Sequence, residues 1–186
     1  MGLPKAVLLD RDGVINFDSP DYILSPEQWR PIPGSLEAIG RLTAAGIAVA
    51  ICSNQSALGR GMMDQKTFQA IHAKMILAIE EKGGEVGHVA YCPHAPDEGC
   101  GCRKPNPGLL DESMTALGVS ASDSLMIGDN IKDVQAAHAA DVAAMLVQSG
   151  YSDADKILEK SRTLIPDVKA FPDLAAAVDV LLRDGI

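Results

Sequence analysis

Basic residues are scarce in this sequence. Sixteen lysines and arginines stand against 25 aspartates and glutamates, a formal charge of -9 with a pI of about 4.8. Phosphate backbones are held by clustered Lys and Arg, so nucleic acid is disfavoured as a partner. Long hydrophobic runs are missing as well. The apolar stretch before Asp10 is only four residues, 6–9, too short for a signal peptide or a membrane span. Position 6 is Ala where a myristoylation signal has Ser or Thr, so no lipid anchor is expected. There is no internal repeat, low-complexity tract or long linker. With 47% apolar and 22% charged residues over 186 positions, the expectation is one soluble globular domain spanning 1–186, in the cytoplasm and monomeric. Cysteines number four. Cys52 closes the run AVAIC and reads as a buried small hydrophobe. The other three crowd one short loop, a spacing that argues against scattered disulfides.

Short β-rich apolar runs alternate with helical patterns, the sequence form of an α/β domain on a parallel sheet flanked by helices. Strands are predicted at 5–10, 47–54, 86–91, 125–129 and 143–147. Helices are predicted at 35–45, closed by Gly46, and from an Asp64 cap to just before Gly83. Others fall at 107–117, 131–139, 155–161 and 173–183. Phe68, Ile71, Met75 and Ile79 form a stripe at spacings of three and four, which predicts a core-facing helix. In such folds ligands bind beyond the carboxyl ends of the strands. Polar residues at those ends therefore carry the most functional weight.

Asp10-Arg11-Asp12-Gly13 places two carboxylates where a buried strand becomes a loop, a position where uncompensated charge is costly. Gly128-Asp129-Asn130-Ile131-Lys132-Asp133 adds two more acids at a later strand end. Either group alone would read as turn and cap residues. Together they predict a magnesium site, since that ion takes hard oxygen ligands and leaves places for water and a phosphate oxygen. Ser53 can offer its hydroxyl to a phosphoryl group, and Lys104 can place a charge on it while pairing with Asp10. Asp10 as nucleophile would split hydrolysis into two displacements, with Asp12 as acid and then base.

The order of these residues resembles the haloacid dehalogenase (HAD) superfamily of phosphohydrolases: Asp10-Arg11-Asp12-Gly13, then Ser53-Asn54, then Lys104, then Gly128-Asp129 through Asp133. The resemblance implies a HAD-like fold and a magnesium-dependent phosphoric monoester hydrolase. It makes Asp10 the nucleophile, Asp12 the acid/base, and Ser53 and Lys104 the phosphate binders. Asp10, the Asp12 carbonyl and Asp129 would hold magnesium, with Asp133 a supporting or alternative ligand.

Cys92-Pro93-His94 followed by Cys100-Gly101-Cys102 supplies three thiols and an imidazole within eleven residues, the donor set of a closed, structural zinc site in the loop 92–102. With this loop, the segments 10–16, Ser53-Asn54-Gln55-Ser56 and Cys102-Arg103-Lys104-Pro105-Asn106-Pro107-Gly108 resemble the heptose 1,7-bisphosphate 7-phosphatase family of carbohydrate and lipopolysaccharide biosynthesis. That resemblance extends substrate binding to Asn54 and Gln55. Histidinol phosphatases share the aspartates and the zinc loop, and a generalist phosphatase is a further alternative. Ala57 and Asn130 depart from the heptose pattern, which has Gly and Lys there.

The intervals between Asp12, Ser53 and Lys104 leave no room for a cap domain, so the site should be open, with Arg60 and Arg103 holding a second, non-reacting phosphate by bidentate bonding. Tyr22 and Trp29 are each readable as a sugar-stacking residue or as packing. Two other classes compete. A phosphoacceptor receiver module also places an aspartate at a strand end but lacks an equivalent of Asp12, and a zinc-stapled interaction protein would not need Asp10.

Overall fold

The computed structural model describes residues 2–185. Six parallel strands form one sheet: β1 (Ala6–Leu9), β2 (Ala48–Asn54), β3 (His88–Cys92), β4 (Ser124–Gly128), β5 (Ala143–Val147) and β6 (Lys169–Phe171), in the order β3-β2-β1-β4-β5-β6. Five match the predicted strands to within two residues. The sixth was not predicted: three residues between Pro166 and Pro172 are too few to show alternation. The helices are α1 (Ser35–Ala44), α2 (Ser56–Gly59), α3 (Gln65–Glu80), α4 (Gly108–Leu117), α5 (Ile131–Ala139), α6 (Ala154–Arg162) and α7 (Leu174–Asp184). Two single turns, α2 and a 3-10 turn at Ala121–Asp123, have no counterpart among the predicted helices.

Both faces of the sheet are covered, and strand alternation assigns each residue to a side. Val7, Leu9, Val49, Ile51, Leu125 and Ile127 belong to one core with α1, α3 and α7. The predicted stripe Phe68, Ile71, Met75 and Ile79 is buried in it, as are Leu174, Val178 and Leu181. Leu8, Ala50, Cys52, Met126 and Leu146 belong to the other core, with α4 and α5. Cys52 is fully buried there, and burial pushes its thiol up to about 12.

Helix ends are set locally. The Asp64 carboxylate accepts from the Thr67 amide at 2.7 Å and starts α3. Asn130 and Asp133 form a reciprocal capping box on α5. Strand order reverses between β1 and β4, whose register pairs Leu9 with Ile127. Asp10 and Asp129 thus leave adjacent strands at the point where such sheets open a crevice.

Candidate active site

Asp10 follows β1 and its amide donates to the Ile127 carbonyl at 3.0 Å, which holds it beside the end of β4. Its Oδ1 accepts from the Arg11 amide at 2.7 Å and lies 3.0 Å from Lys104 Nζ. That ammonium is 1% exposed and lies 2.6 Å from Asp133 Oδ1. Two of the three ammonium donors are thus faced by carboxylates, which leaves one for a further acceptor. Burial works against the Lys104 charge, but Asp10 and Asp133 outweigh it and raise its pKa.

Carboxylate oxygens of Asp10, Asp129 and Asp133 come within 4.8 Å of one another. Burial raises Asp10 to about 7: the attraction of Lys104 opposes the shift, and Asp133 and Asp12 add to it. The 3.0 Å pairing with Lys104 still favours an ionised Asp10. Asp129 is pushed up to about 9 by burial first and then by Asp133, Asp10 and Asp18. A cluster that resists ionisation so strongly fits a divalent cation, whose charge removes the penalty. Two glycines make room for Asp129. Gly13, at φ +82°, would place a side-chain carbon 2.6 Å from the Asp129 Cγ, and a methyl on Gly150 would overlap the same carboxylate. Ser149 Oγ donates to the Gly13 carbonyl at 2.7 Å and ties the two glycine segments together.

Asp12 has a different environment. Arg11 donates to it from Nε at 3.0 Å and Nη2 at 2.8 Å, Asn16 from Nδ2 at 2.8 Å, and Gln55 from Nε2 at 3.0 Å. Gln55 also donates to Ser53 Oγ at 2.7 Å, so one amide fixes the hydroxyl and the carboxylate together. Asn54 forms a reciprocal pair with the Lys104 backbone: Nδ2 donates to its carbonyl and Oδ1 accepts from its amide, both at 3.0 Å. Arg11, Asp12, Ser53, Asn54, Gln55 and Lys104 line a cavity of about 310 Å³, which also receives Tyr22 and Arg103, while Asn16 is fully buried behind it. Arg60 is exposed after α2 and does not line it. Trp29 is 2% exposed in the core, where its Nε1 donates to Asn16 Oδ1 at 3.0 Å.

The comparisons agree with this geometry. Residues 101–177 match the HAD-hydrolase-like family. The chain is 45% identical over 177 residues to the D-glycero-beta-D-manno-heptose-1,7-bisphosphate 7-phosphatase of Pseudomonas aeruginosa, covering 95% of this chain and 97% of that one. A crystal structure of the D,D-heptose 1,7-bisphosphate phosphatase from Bordetella bronchiseptica, complexed with magnesium and phosphate, superposes with a TM-score of 0.90 at 42% identity, covering 97% and 99% of the two chains. The counterpart from Burkholderia thailandensis superposes at 0.74 and 32% identity, covering 97% and 99%. This chain belongs to the heptose-1,7-bisphosphate 7-phosphatase family of HAD-like hydrolases.

Heptose-bisphosphatase family membership leaves the Cys/His loop to be judged on its own geometry. Cys92 ends β3 beside Asn54 of β2, and its Sγ lies 3.5 Å from Cys100 Sγ, 3.2 Å from Cys102 Sγ and 3.5 Å from His94 Nδ1. His94 Nδ1 and Cys102 Sγ are 3.3 Å apart. All four cysteines are free. Tetrahedral Zn–S and Zn–N bonds of about 2.3 and 2.0 Å give edges of roughly 3.5–3.8 Å, close to these separations and far beyond a disulfide. The loop can therefore close around one tetrahedral cation. Arg103 Nη1 donates to the His94 carbonyl at 3.3 Å and Asn106 Nδ2 to the Cys100 carbonyl at 2.8 Å, which ties the loop to the cavity wall.

Several members of this heptose-bisphosphatase site were not singled out from sequence. Arg11 and Asn16 hold Asp12, yet both sit in the segment 10–16, and Asn16 lies four residues after Asp12. Ser149 and Gly150 follow β5 and carried no local signal. Only the sheet topology brings them to Gly13 and Asp129.

Proposed function

We propose that this protein removes the C7 phosphate of D-glycero-D-manno-heptose 1,7-bisphosphate through an aspartyl-phosphate intermediate, in the synthesis of heptose precursors. The observation that carries the reading is the meeting of Asp10, Asp12 and Lys104 at the mouth of one sheet, beside the acid cluster. The names of the relatives supply the substrate. Magnesium, held by Asp10, the Asp12 carbonyl and Asp129 with Asp133 in support, would neutralise the charge of the transferring phosphate.

Both contacts to Asp10 fall on Oδ1, so Oδ2 is the oxygen left to attack phosphorus. As the bond from Oδ2 to phosphorus forms and the bond from phosphorus to the sugar oxygen breaks, Asp12 gives its proton to that leaving oxygen. Asp12, now a carboxylate, takes a proton from water as the water oxygen attacks phosphorus. The bond to Oδ2 then breaks, releasing phosphate and restoring both aspartates. Lys104 and Ser53 bind the oxygens of the transferred phosphate throughout. Asn54 and Gln55 serve this site by holding Lys104, Ser53 and Asp12 in place. Arg103 is assigned to the second phosphate. Arg60, outside the cavity, has no part in this scheme.

Zinc, bound by Cys92, His94, Cys100 and Cys102, would have no open position for water and would serve to fix the loop that carries Arg103 and Lys104. The proposal includes one capless domain over 1–186, supported by the single sheet. It also includes a monomer, supported by exposed large apolar side chains that fall on separate segments, at Leu3, Phe17, Met62, Leu77 and Tyr151. The free thiols suit the reducing cytoplasm, and no helix among the described residues is long and apolar enough to cross a membrane.

The test is phosphate release with magnesium on heptose 1,7-bisphosphate, histidinol phosphate and fructose 1,6-bisphosphate side by side. A clear preference for the heptose ester is expected. Preference for histidinol phosphate would overturn the substrate, and weak, equal rates on all three would indicate a generalist.

A further inference from the structure

A second cavity of about 250 Å³ adjoins the first, between the 92–102 loop and the start of α5. Arg103, Lys104 and Lys132 line both. The two differ in charge. Asp10, Asp12, Asp18, Asp129 and Asp133 line the first, whereas among the described residues no carboxylate lines the second. Lys104 is committed to Asp10 and Asp133, and Arg103 spends one nitrogen on the His94 carbonyl.

Lys132 is different. Its side chain is in none of the ion pairs among the described residues. Its backbone amide donates to Asn130 Oδ1 at 3.2 Å, which fixes it in the first turn of α5. A cation there opposes the helix dipole, which favours anions at that end. Lys132 is exposed, and the cavity it shares with Arg103 and Lys104 suits an anion.

We propose that Lys132 is a specificity-determining residue that binds, with Arg103 in the second cavity, the phosphate that is not transferred: the 1-phosphate of the sugar bisphosphate. This rests on the reading of the protein as a bisphosphate phosphatase. The second cavity then sorts esters by what they carry away from the scissile bond. A bisphosphate places an anion between two cations, whereas a monophosphate leaves them unpaired.

The test compares kcat/KM on heptose 1,7-bisphosphate with kcat/KM on heptose 7-phosphate, for wild type, K132A and K132R. Wild type should prefer the bisphosphate. In K132A that preference should fall about tenfold, mostly through KM of the bisphosphate, and K132R should retain most of it. Thermal melting separates binding from folding: loss of a cation from the helix N-terminus should leave Tm unchanged or slightly raised. An unchanged preference in K132A overturns the role of Lys132 while leaving the activity intact. A wild type that does not prefer the bisphosphate overturns the underlying reading and this inference with it.

Discussion

Replacing Asp129 by Asn removes a carboxyl that the fold, when no cation is bound, keeps protonated at a cost. Asp129 is 7% exposed and its carboxyl is raised from 3.8 to about 9, by burial first and by Asp133 and Asp10 next. The sign follows from proton uptake. Below pH 3.8 the group is neutral folded and unfolded, so it contributes nothing to the pH dependence. Between that value and about 9, the unfolded chain ionises while the folded one retains its proton, and wild-type stability falls as pH rises. At pH 8 the cost reaches about 6 kcal/mol at most. The cluster relaxes and shares protons among its members, so about half, ~3 kcal/mol, is the expected gain for D129N. For a chain of this size that is a rise in Tm of roughly 6–12 °C. The assay is thermal melting in EDTA from pH 4 to pH 9, repeated with saturating magnesium. In EDTA the advantage of D129N should vanish near pH 4 and grow steadily upward. Magnesium at a hundred times its Kd should stabilise wild type by about 2.7 kcal/mol and D129N far less. A D129N protein less stable than wild type in EDTA at pH 8, or an advantage independent of pH, would refute the electrostatic account.

D10N should fold with an unchanged circular dichroism spectrum and lose hydrolysis of p-nitrophenyl phosphate, because the nucleophile is gone; residual turnover above about 1% of wild type would assign the attack elsewhere. N54A removes both amide contacts to the Lys104 backbone and should lower kcat at least tenfold by misplacing that ammonium, with N54D recovering less than N54Q if reach matters less than the donor. C102S should reduce zinc from about one per chain to a small fraction by atomic absorption and raise KM for the bisphosphate, since Arg103 hangs from the same loop. G150A should weaken magnesium binding about tenfold or more in calorimetric titration by displacing Asp129, while a variant at exposed Gly99 should not.

Much of this fold was legible because the strands are short apolar runs that end in polar residues, and because the helices carry caps and stripes. Asp64, Gly46 and the 68–79 stripe each predict a boundary or a face that the structure contains. β6 escaped because three residues at a sheet edge have neither alternation nor burial enough to stand out. At the site, chemistry was easier to read than support. Asp10, Asp129 and Lys104 announce themselves through charge at strand ends, whereas Asn54 and Gln55 look like substrate contacts in sequence and are found gripping Lys104, Ser53 and Asp12. A side-chain amide has the same letter whether it faces a ligand or a backbone carbonyl. Arg60 was judged by charge and spacing alone, and the turn of α2 carries it away from the cavity. Lys132 hides for the converse reason: one lysine in a helix reads as solvated surface until the cavity beside it is known.

A net charge of -9 is compatible with an anionic ligand because the two cavities partition the charge. Carboxyl groups are concentrated where the sheet reverses, because β1 and β4 deliver Asp10 and Asp129 side by side. Glycines at 13 and 150 leave the space that the Asp129 carboxylate occupies. Such a cluster repels a phosphate until a cation joins it, and only then do Lys104 and that cation outweigh the acids. The second cavity, where Arg103, Lys104 and Lys132 line the wall and no carboxylate does among the described residues, needs no metal to attract an anion. A bisphosphate can therefore be held by its distal phosphate before the reacting phosphate meets magnesium, so its affinity should depend less on magnesium than that of a monophosphate. Calorimetric binding of heptose 1-phosphate with and without magnesium decides this: a Kd that changes less than about threefold fits the order, and binding that is lost without the metal refutes it.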